Sequence, residues 1–153
     1  MKFLCDQMLG TLAKWLRIYG FDTYFANSEI SDEELLKISK DEDRILLTRD
    51  KKLVQRAHKE NIKNIEIKTT DVNEQLKIVL KDLTIDKNKV LSRCILCNNV
   101  IDEIKKRDVG GKVPERVFET NEEFWFCKKC NKIYWKGSHY ENMIEKMDEL
   151  KNQ

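Results

Sequence analysis

Proline is nearly missing from this chain: Pro114 stands alone among 153 residues, with only five glycines beside it. So few breakers exclude a loop-rich protein and predict long elements joined by short connections. Low-complexity tracts and internal repeats are missing too. Apolar residues, 41% of the total, recur regularly instead of clustering, which excludes a disordered chain. No apolar run approaches the ~20 residues that a membrane span needs. The opening Met1-Lys2-Phe3-Leu4-Cys5-Asp6 turns acidic too early for a secretory signal, so the cytosol is the expected location. An excess of one charge is also lacking, for 29 Lys and Arg face 27 Asp and Glu, a net +2. Residues 1–90 hold 17 basic and 16 acidic residues, and residues 91–153 hold 12 and 11. Bulk electrostatics therefore gives no sign of a nucleic-acid partner, and any such contact has to come from local patches.

Residues 1–82 alternate short apolar runs with amphipathic stretches, the rhythm of a parallel sheet with crossover helices. Phe3-Leu4-Cys5 reads as a first strand ending at Asp6. Leu9, Leu12, Ala13 and Leu16 follow at helical spacing, with Gly20 as the stop. Thr23-Tyr24-Phe25 is a second strand. Ser31 and Glu34 form a capping box before a helix that turns Leu35, Leu36 and Ile38 inward. Ile45-Leu46-Leu47 is apolar throughout, as a strand buried on both faces should be. It leads into Thr48-Arg49-Asp50 and a helix bearing Leu53, Val54 and Ala57. Ile65-Glu66-Ile67 makes a fourth strand, and Asp71 with Glu74 opens a helix bearing Leu76, Val79 and Leu80. The expected class is α/β, in the order βαβαβαβα. Residues 83–91 read as a polar connection, which sets the expected units at 1–90 and 91–153. A helix over Glu141 to Leu150 closes the second unit, with Met143, Ile144 and Met147 facing inward.

Cys94-Ile95-Leu96-Cys97 and Cys127-Lys128-Lys129-Cys130 are two Cys-x-x-Cys knuckles. That spacing lets both thiolates of a knuckle turn toward one ion, and two knuckles complete a tetrahedral sulfur site. Four thiolates leave no open position, so the expected zinc is structural and takes no part in chemistry. Two disulfides, a redox pair or an iron–sulfur cluster are the alternatives. A reducing compartment disfavours the first, and a redox pair would need one knuckle after a strand of a βαβ unit. The long stretch from Val100 to Phe126 favours a ribbon in which strands from each knuckle pair and a hairpin fills the gap. Cys5, in an apolar strand, is expected to be a buried, inert thiol.

Asp6 ends the first strand, Asp32 opens the helix after the second, and Asp50 follows the third. In a parallel α/β sheet all three positions fall outside the carboxyl ends of the strands, where such folds bind ligands. Carboxylates gathered there repel one another unless a divalent cation lies between them. Mg²⁺ or Mn²⁺ suits carboxylates, water and a substrate phosphate, and the matching reaction class is metal-assisted phosphodiester hydrolysis. Asp32 and Asp50 also suit the amino termini of helices. Arg49 and Lys52, beside Asp50, are candidates to hold a phosphate. Arg17, Arg44 and His58 are expected on the surface.

From Phe124 to Tyr140 there is no acidic residue, while lysines alternate with aromatic residues. Rings stack on unpaired bases and lysines offset phosphates, so this stretch suits single-stranded nucleic acid. Tyr134, Trp135, Lys136 and His139 are the candidate contacts, although a small ribbon also needs about half of its rings for its own core.

Taken in order, the motifs resemble a known family. They are Phe3-Leu4-Cys5-Asp6 with Met8-Leu9-Gly10, Leu12-Ala13-Lys14-Trp15-Leu16-Arg17 with Gly20, Asp32 with Leu35, and Ile45-Leu46-Leu47-Thr48-Arg49-Asp50. Ser92-Arg93-Cys94, Cys97-Asn98, Val113-Pro114 and Tyr134-Trp135-Lys136-Gly137-Ser138-His139 complete the set. Together they are similar to the Mut-seven C-terminal RNase family, which joins a PIN-like nuclease fold to a zinc ribbon. The resemblance implies an acidic cluster of Asp6, Asp32 and Asp50, and RNA as substrate. Many PIN nucleases carry a fourth, late acidic residue; here only Glu66 and Asp71 stand near that position. A non-catalytic RNA-binding adaptor and a receiver-like phosphoacceptor are the rival readings, the latter lacking the paired acids of the first strand. A protein partner or an oligomer is compatible with each.

Overall fold

The structure, a computed structural model, describes residues 1–27 and 29–151. Ser28 of the first expected unit, and Asn152 and Gln153 of the second, lie outside the described residues. Strands β1 (Lys2–Cys5), β2 (Asp22–Phe25), β3 (Ile45–Thr48) and β4 (Asn64–Glu66) form a parallel sheet in the order β2-β1-β3-β4. Helices α1 (Gly10–Ile18), α2 (Asp32–Asp41), α3 (Lys51–Lys59) and α4 (Val72–Leu80) follow them in turn. The chain is thus a mixed α/β protein with a parallel sheet flanked by helices. Register decides the layers. Phe3 and Cys5 face a core built with α1 and α4, while Leu4 and Leu46 face one built with α2 and α3. A side-chain period of two splits a single strand between two layers, and both are buried.

Local chemistry fixes the helix starts. The Ser31 hydroxyl accepts the Glu34 amide, Asp50 accepts those of Lys52 and Leu53, and Asp71 accepts those of Asn73 and Glu74. Each cap satisfies donors that no carbonyl of the helix can reach. The fourth strand ends one residue before the expected Ile67, which is itself buried and donates its amide to the Thr48 carbonyl at 2.8 Å.

Three features differ from the sequence reading. Residues 83–91 are not a simple polar link, because Val90 is buried and Leu83, Ile85 and Leu91 pack against the first core. The stretch after the first knuckle holds β5 (Asp102–Ile104) and a short helix, α5 (Glu115–Thr120), where a hairpin was expected. β5 pairs antiparallel with β6 (Phe124–Cys127), which pairs with β7 (Lys132–Trp135). The last helix, α6 (Ser138–Lys151), leaves this small sheet and packs against α4. Its Met147 and Leu150 are buried in the same core as Phe3 and Leu12, with Met143 and Ile144 at the edge.

The third difference concerns two arginines. Arg17 and Arg44 are buried, 7% and 8% exposed, against the expectation that both lie on the surface. Arg44 donates to the carbonyls of Phe3 and Asp22 and to Asp22 Oδ1 at 2.8 Å, and its Nε reaches Glu42. Asn98 of the first knuckle donates to the same Asp22 oxygen at 2.7 Å and accepts the Thr23 amide at 2.9 Å. Arg17 spans the same seam, from the Thr23 carbonyl to that of Ile95. Fixed carbonyls offset the burial of both guanidiniums, and Arg44 has the carboxylates of Asp22 and Glu42 besides. His58 is exposed, as expected.

Burial alone would raise the Asp22 carboxyl, but hydrogen bonds from Arg44 and Asn98 outweigh it and hold it below its usual range. Stability from this pair is therefore present above the ordinary carboxylate range near pH ~4 and is lost as pH falls through the depressed value. Arg44→Met should cost about 2–3 kcal/mol at neutral pH, less than a fully buried pair because Asp22 keeps Asn98 and some water. Urea titrations of both proteins should show that gap closing on acidification.

Candidate functional site

β1 and β3 are the central pair of the sheet, and the chain winds outward from them in opposite directions. Such a reversal opens a crevice beyond the carboxyl ends of the two strands. Asp6 directly follows β1, Asp50 lies two residues past β3, and Asp32 begins α2. All three line one cleft of about 120 Å³, walled by Gln7, Met8, Ala26, Asn27, Ile30, Leu35 and Leu53.

Each carboxylate is held differently. Asp6 is 7% exposed; its Oδ1 accepts the Met8 amide at 3.0 Å and its Oδ2 accepts the Thr48 hydroxyl. The same hydroxyl accepts the Asp50 amide at 3.0 Å, so one buried threonine ties the two loops together. Asp50 is exposed and takes both of its helix-cap bonds on Oδ1. Asp32 is exposed at the first turn of α2, whose cap is Ser31. Arg49 is half-buried and Lys52 exposed, next to Asp50 in the chain but outside the cleft wall. Glu66 and Asp71 also lie outside it: Glu66 pairs with Lys68 at 3.4 Å, and Asp71 caps α4.

The cysteine quartet is more compact. The Sγ atoms of Cys94, Cys97, Cys127 and Cys130 all lie within 4.8 Å of one another. Among the described residues no other group of three or more potential ligands does so, and the three aspartates share a cleft without converging that closely. All four thiols are free. Burial opposes ionisation of Cys94, but hydrogen bonds from the Tyr134 hydroxyl and from the amides of Cys97 and Leu96 bring its thiol down to about 6. The hydrogen bond to Cys97, then burial, pushes Cys130 up to about 12. Burial also raises Cys127. Cys94 thus ionises more readily than Cys127 or Cys130, and the four sulfurs lie close enough to share one cation. The donor set can hold a metal ion such as zinc. Cys5 lies apart, fully buried, its thiol pushed far up by burial first and by Asp6 second, as an inert thiol should be.

The aromatic stretch folds over the cage and the end of α1. Tyr134 spends its hydroxyl on Cys94 Sγ, at 3.0 Å, and on the Ile95 amide. Trp135, His139 and the Tyr134 ring line an apolar cleft of about 230 Å³ with Ile18, Leu91, Ile95, Lys132, Ile133 and Met143. A Cβ on Gly137 would lie 3.1 Å from the His139 ring and 3.2 Å from Trp135 Nε1, so glycine lets the two rings close over it. Lys136 is exposed, its Nζ 4.9 Å from the Tyr140 ring centroid and 5.3 Å from that of Trp125.

Comparison with known proteins decides the family. The family model for the Mut7-C RNAse domain matches residues 1–147, both the carboxylate cleft and the cysteine quartet included. The chain belongs to this family. No curated protein and no solved structure gives a significant match. Membership of the Mut7-C RNAse family makes nuclease or RNA-related work the coarse functional assignment, with RNA as the class of substrate. Among the described residues of this Mut7-C chain, no helix is long and apolar enough to cross a membrane. Position alone pointed to the three aspartates and the four cysteines. It missed Thr48, Asn98 and the apolar cleft walls of the Mut7-C fold. A threonine closing an otherwise apolar strand, two residues before an aspartate, was the available signal for Thr48.

Proposed function

We propose that the chain is a metal-dependent ribonuclease-like phosphodiester hydrolase that cuts single-stranded RNA. One observation carries this reading: the three aspartates, distant in sequence, line a single cleft at the switch point of the sheet. Hard carboxylate oxygens fit Mg²⁺ or Mn²⁺, and Asp6, Asp32 and Asp50 would hold the ion. Such an ion, when bound, supplies an activated water and offsets charge on the phosphodiester. Asp6 is oriented for this by Thr48 and the Met8 amide, and Asp50 keeps Oδ2 out of its cap bonds. Arg49 and Lys52 position a backbone phosphate beside Asp50. Residues 1–90 contribute the cutting edge. Residues 91–153 contribute a ribbon held by zinc, where Trp135, Tyr134, Lys136 and His139 retain unpaired RNA by stacking and charge. A cytosolic setting keeps the four thiols reduced for that metal.

The wide spacing of the carboxylate oxygens favours a second reading, an RNA-binding adaptor that retains the fold without the chemistry. Asp50→Asn separates the two. Asparagine caps a helix as well as aspartate does, so the fold should persist. Cleavage of single-stranded RNA with Mn²⁺ should then fall by about a hundredfold, on the scale of losing an activated water. Unchanged cleavage ends the catalytic assignment. RNA binding that ignores Mn²⁺ and all three aspartates, but is lost in Trp135→Ala, establishes the adaptor.

A further inference from the structure

We propose that the apolar cleft walled by Trp135 and His139 is a pocket for one unpaired nucleobase, held several nucleotides away from the phosphodiester being cut. The proposal rests on the reading of the chain as an RNA-cutting enzyme and adds what the ribbon grips and where.

Five parts of the chain build the cleft. Ile18 comes from the end of α1, Leu91 from the connection, Ile95 from the first knuckle, Trp135 from β7, and His139 with Met143 from α6. It exists only where the ribbon and the last helix close on α1. The wall is fastened at Leu91, whose amide donates to the Ile18 carbonyl at 2.7 Å while its φ of 61° lies in the left-handed region. A bulky residue persists there only when its surroundings impose it, and such strain collects at binding sites.

Folding does not use up the rings. Trp125 and Tyr134 pack against the buried cluster around the cysteines, whereas among the described residues Trp135 packs against none of the buried clusters. Trp135 is half-buried and His139 exposed. Gly137 lets the two approach each other, since a Cβ there would lie 3.2 Å from Trp135 Nε1 and 3.3 Å from His139 Nδ1. An apolar slot with a flat indole and two ring nitrogens at one corner matches a base, which has a π-face to stack and an edge of donors and acceptors.

Charge favours a nucleotide over an apolar peptide segment. Lys132 lines the cleft, exposed Lys136 follows Trp135, and no carboxylate belongs to the wall among the described residues. A phosphate attached to the seated base therefore meets cations as it leaves. On α1, exposed Lys14 stands one turn before Ile18 on the same face, in the direction of the carboxylate cleft. That cleft lies at the start of α1 and the pocket at its end, so about 12 Å of helix separates them. Such a span is several nucleotides of stacked strand, at about 3.4 Å each. A base in a duplex is paired and stacked on its neighbours and cannot enter, so the pocket selects unpaired strands.

The test compares two fluorescently labelled strands of equal length, an oligouridylate and one built from stable abasic spacers. Equilibrium binding to the full chain is measured with no chelator and with no Mg²⁺ or Mn²⁺ added, so that no cleavage intrudes. The wild type should prefer the uridylate roughly tenfold, the scale of one base–aromatic stack. Met143→Trp fills the cleft from α6 and should erase that preference, with the salt dependence unchanged because no phosphate contact is lost. Should Met143→Trp fold poorly by circular dichroism, Gly137→Ala decides: its Cβ disturbs the two rings from a loop outside the cores, and the preference should fall at least threefold. A wild type that binds both strands alike overturns the proposal and leaves an apolar protein segment as the occupant. A well-folded Met143→Trp, or Gly137→Ala in its place, that keeps the preference within twofold of wild type overturns it as well. Wild-type protein that shows the preference but never cuts RNA with Mn²⁺ refutes the enzyme reading alone.

Discussion

Cys127→Ser should strip the metal from the chain and melt the three-stranded sheet while leaving most of the parallel sheet folded. The reason is the poverty of the ribbon's own core. The buried residues of its sheet and loops are Cys94, Ile101, Val109, Phe124 and Cys127, and two of those five are candidate metal ligands. A structural zinc contributes about 10–16 kcal/mol in small domains of this kind, far more than a few half-buried rings can replace. Serine cannot supply the soft thiolate, and the remaining three sulfurs are left crowded within 4.8 Å without the ion that holds them. Hydrogen exchange should show the amides of β6 and β7 losing protection, with elemental analysis falling from near-stoichiometric zinc to almost none. The knuckle also docks on β2 through Asn98 and Arg17, so the Thr23 amide should lose protection as well. A variant that keeps its zinc and its protected ribbon amides would show that the quartet is not the support.

The second large effect is expected at Asp6, where asparagine should lower RNA cleavage by more than a hundredfold and exceed the losses at Asp50 and Asp32. Asp6 is the carboxylate most completely removed from water and the one fixed on both oxygens. Asparagine can still accept the Met8 amide, so the turn into α1 should survive. What disappears is the negative charge nearest the centre of the sheet. Asp32, exposed and free of a capping role, should give the mildest loss of the three. Initial rates at saturating Mn²⁺, with matching circular dichroism spectra, rank the three variants. A rate for Asp6→Asn within threefold of wild type would remove the cleft from consideration as the site of hydrolysis. Chelators are unsuitable here because they would also compete for any metal on the cysteine quartet; dialysis against metal-free buffer separates the two sites.

What could be read in advance was local. Ile45-Leu46-Leu47 announces a doubly buried strand, Ser31 with Glu34 announces a helix start, and Cys-x-x-Cys announces a metal knuckle, each within a few residues. Even the aspartates could be assigned to one rim, since strand ends and helix starts follow from the βα rhythm. Distances between their oxygens could not, because they depend on Thr48, whose hydroxyl meets Asp6 from 42 residues away. The buried arginines were misjudged for the same reason. A guanidinium is taken out of water by acceptors that happen to face it, and the carbonyls of Phe3 and Ile95 come from remote parts of the chain. Helix α5 was hidden by its six-residue length, too short for a periodic pattern to stand out. Residues 83–91 looked like a link because polar residues outnumber the four apolar ones that fasten it down.

The position of α6 has a consequence for biosynthesis. Met147 and Leu150 complete a layer begun by Phe3, and Lys151 donates to the carbonyls of Leu80 and Leu83. A nascent chain leaving the ribosome therefore exposes an unfinished hydrophobic surface until its last helix has emerged. Closing that contact spans well over a hundred residues, a slow step by the entropy of loop closure. A metal gripped by both knuckles would shorten the search, because it would draw Cys94 and Cys130 together and deliver α6 close to its berth.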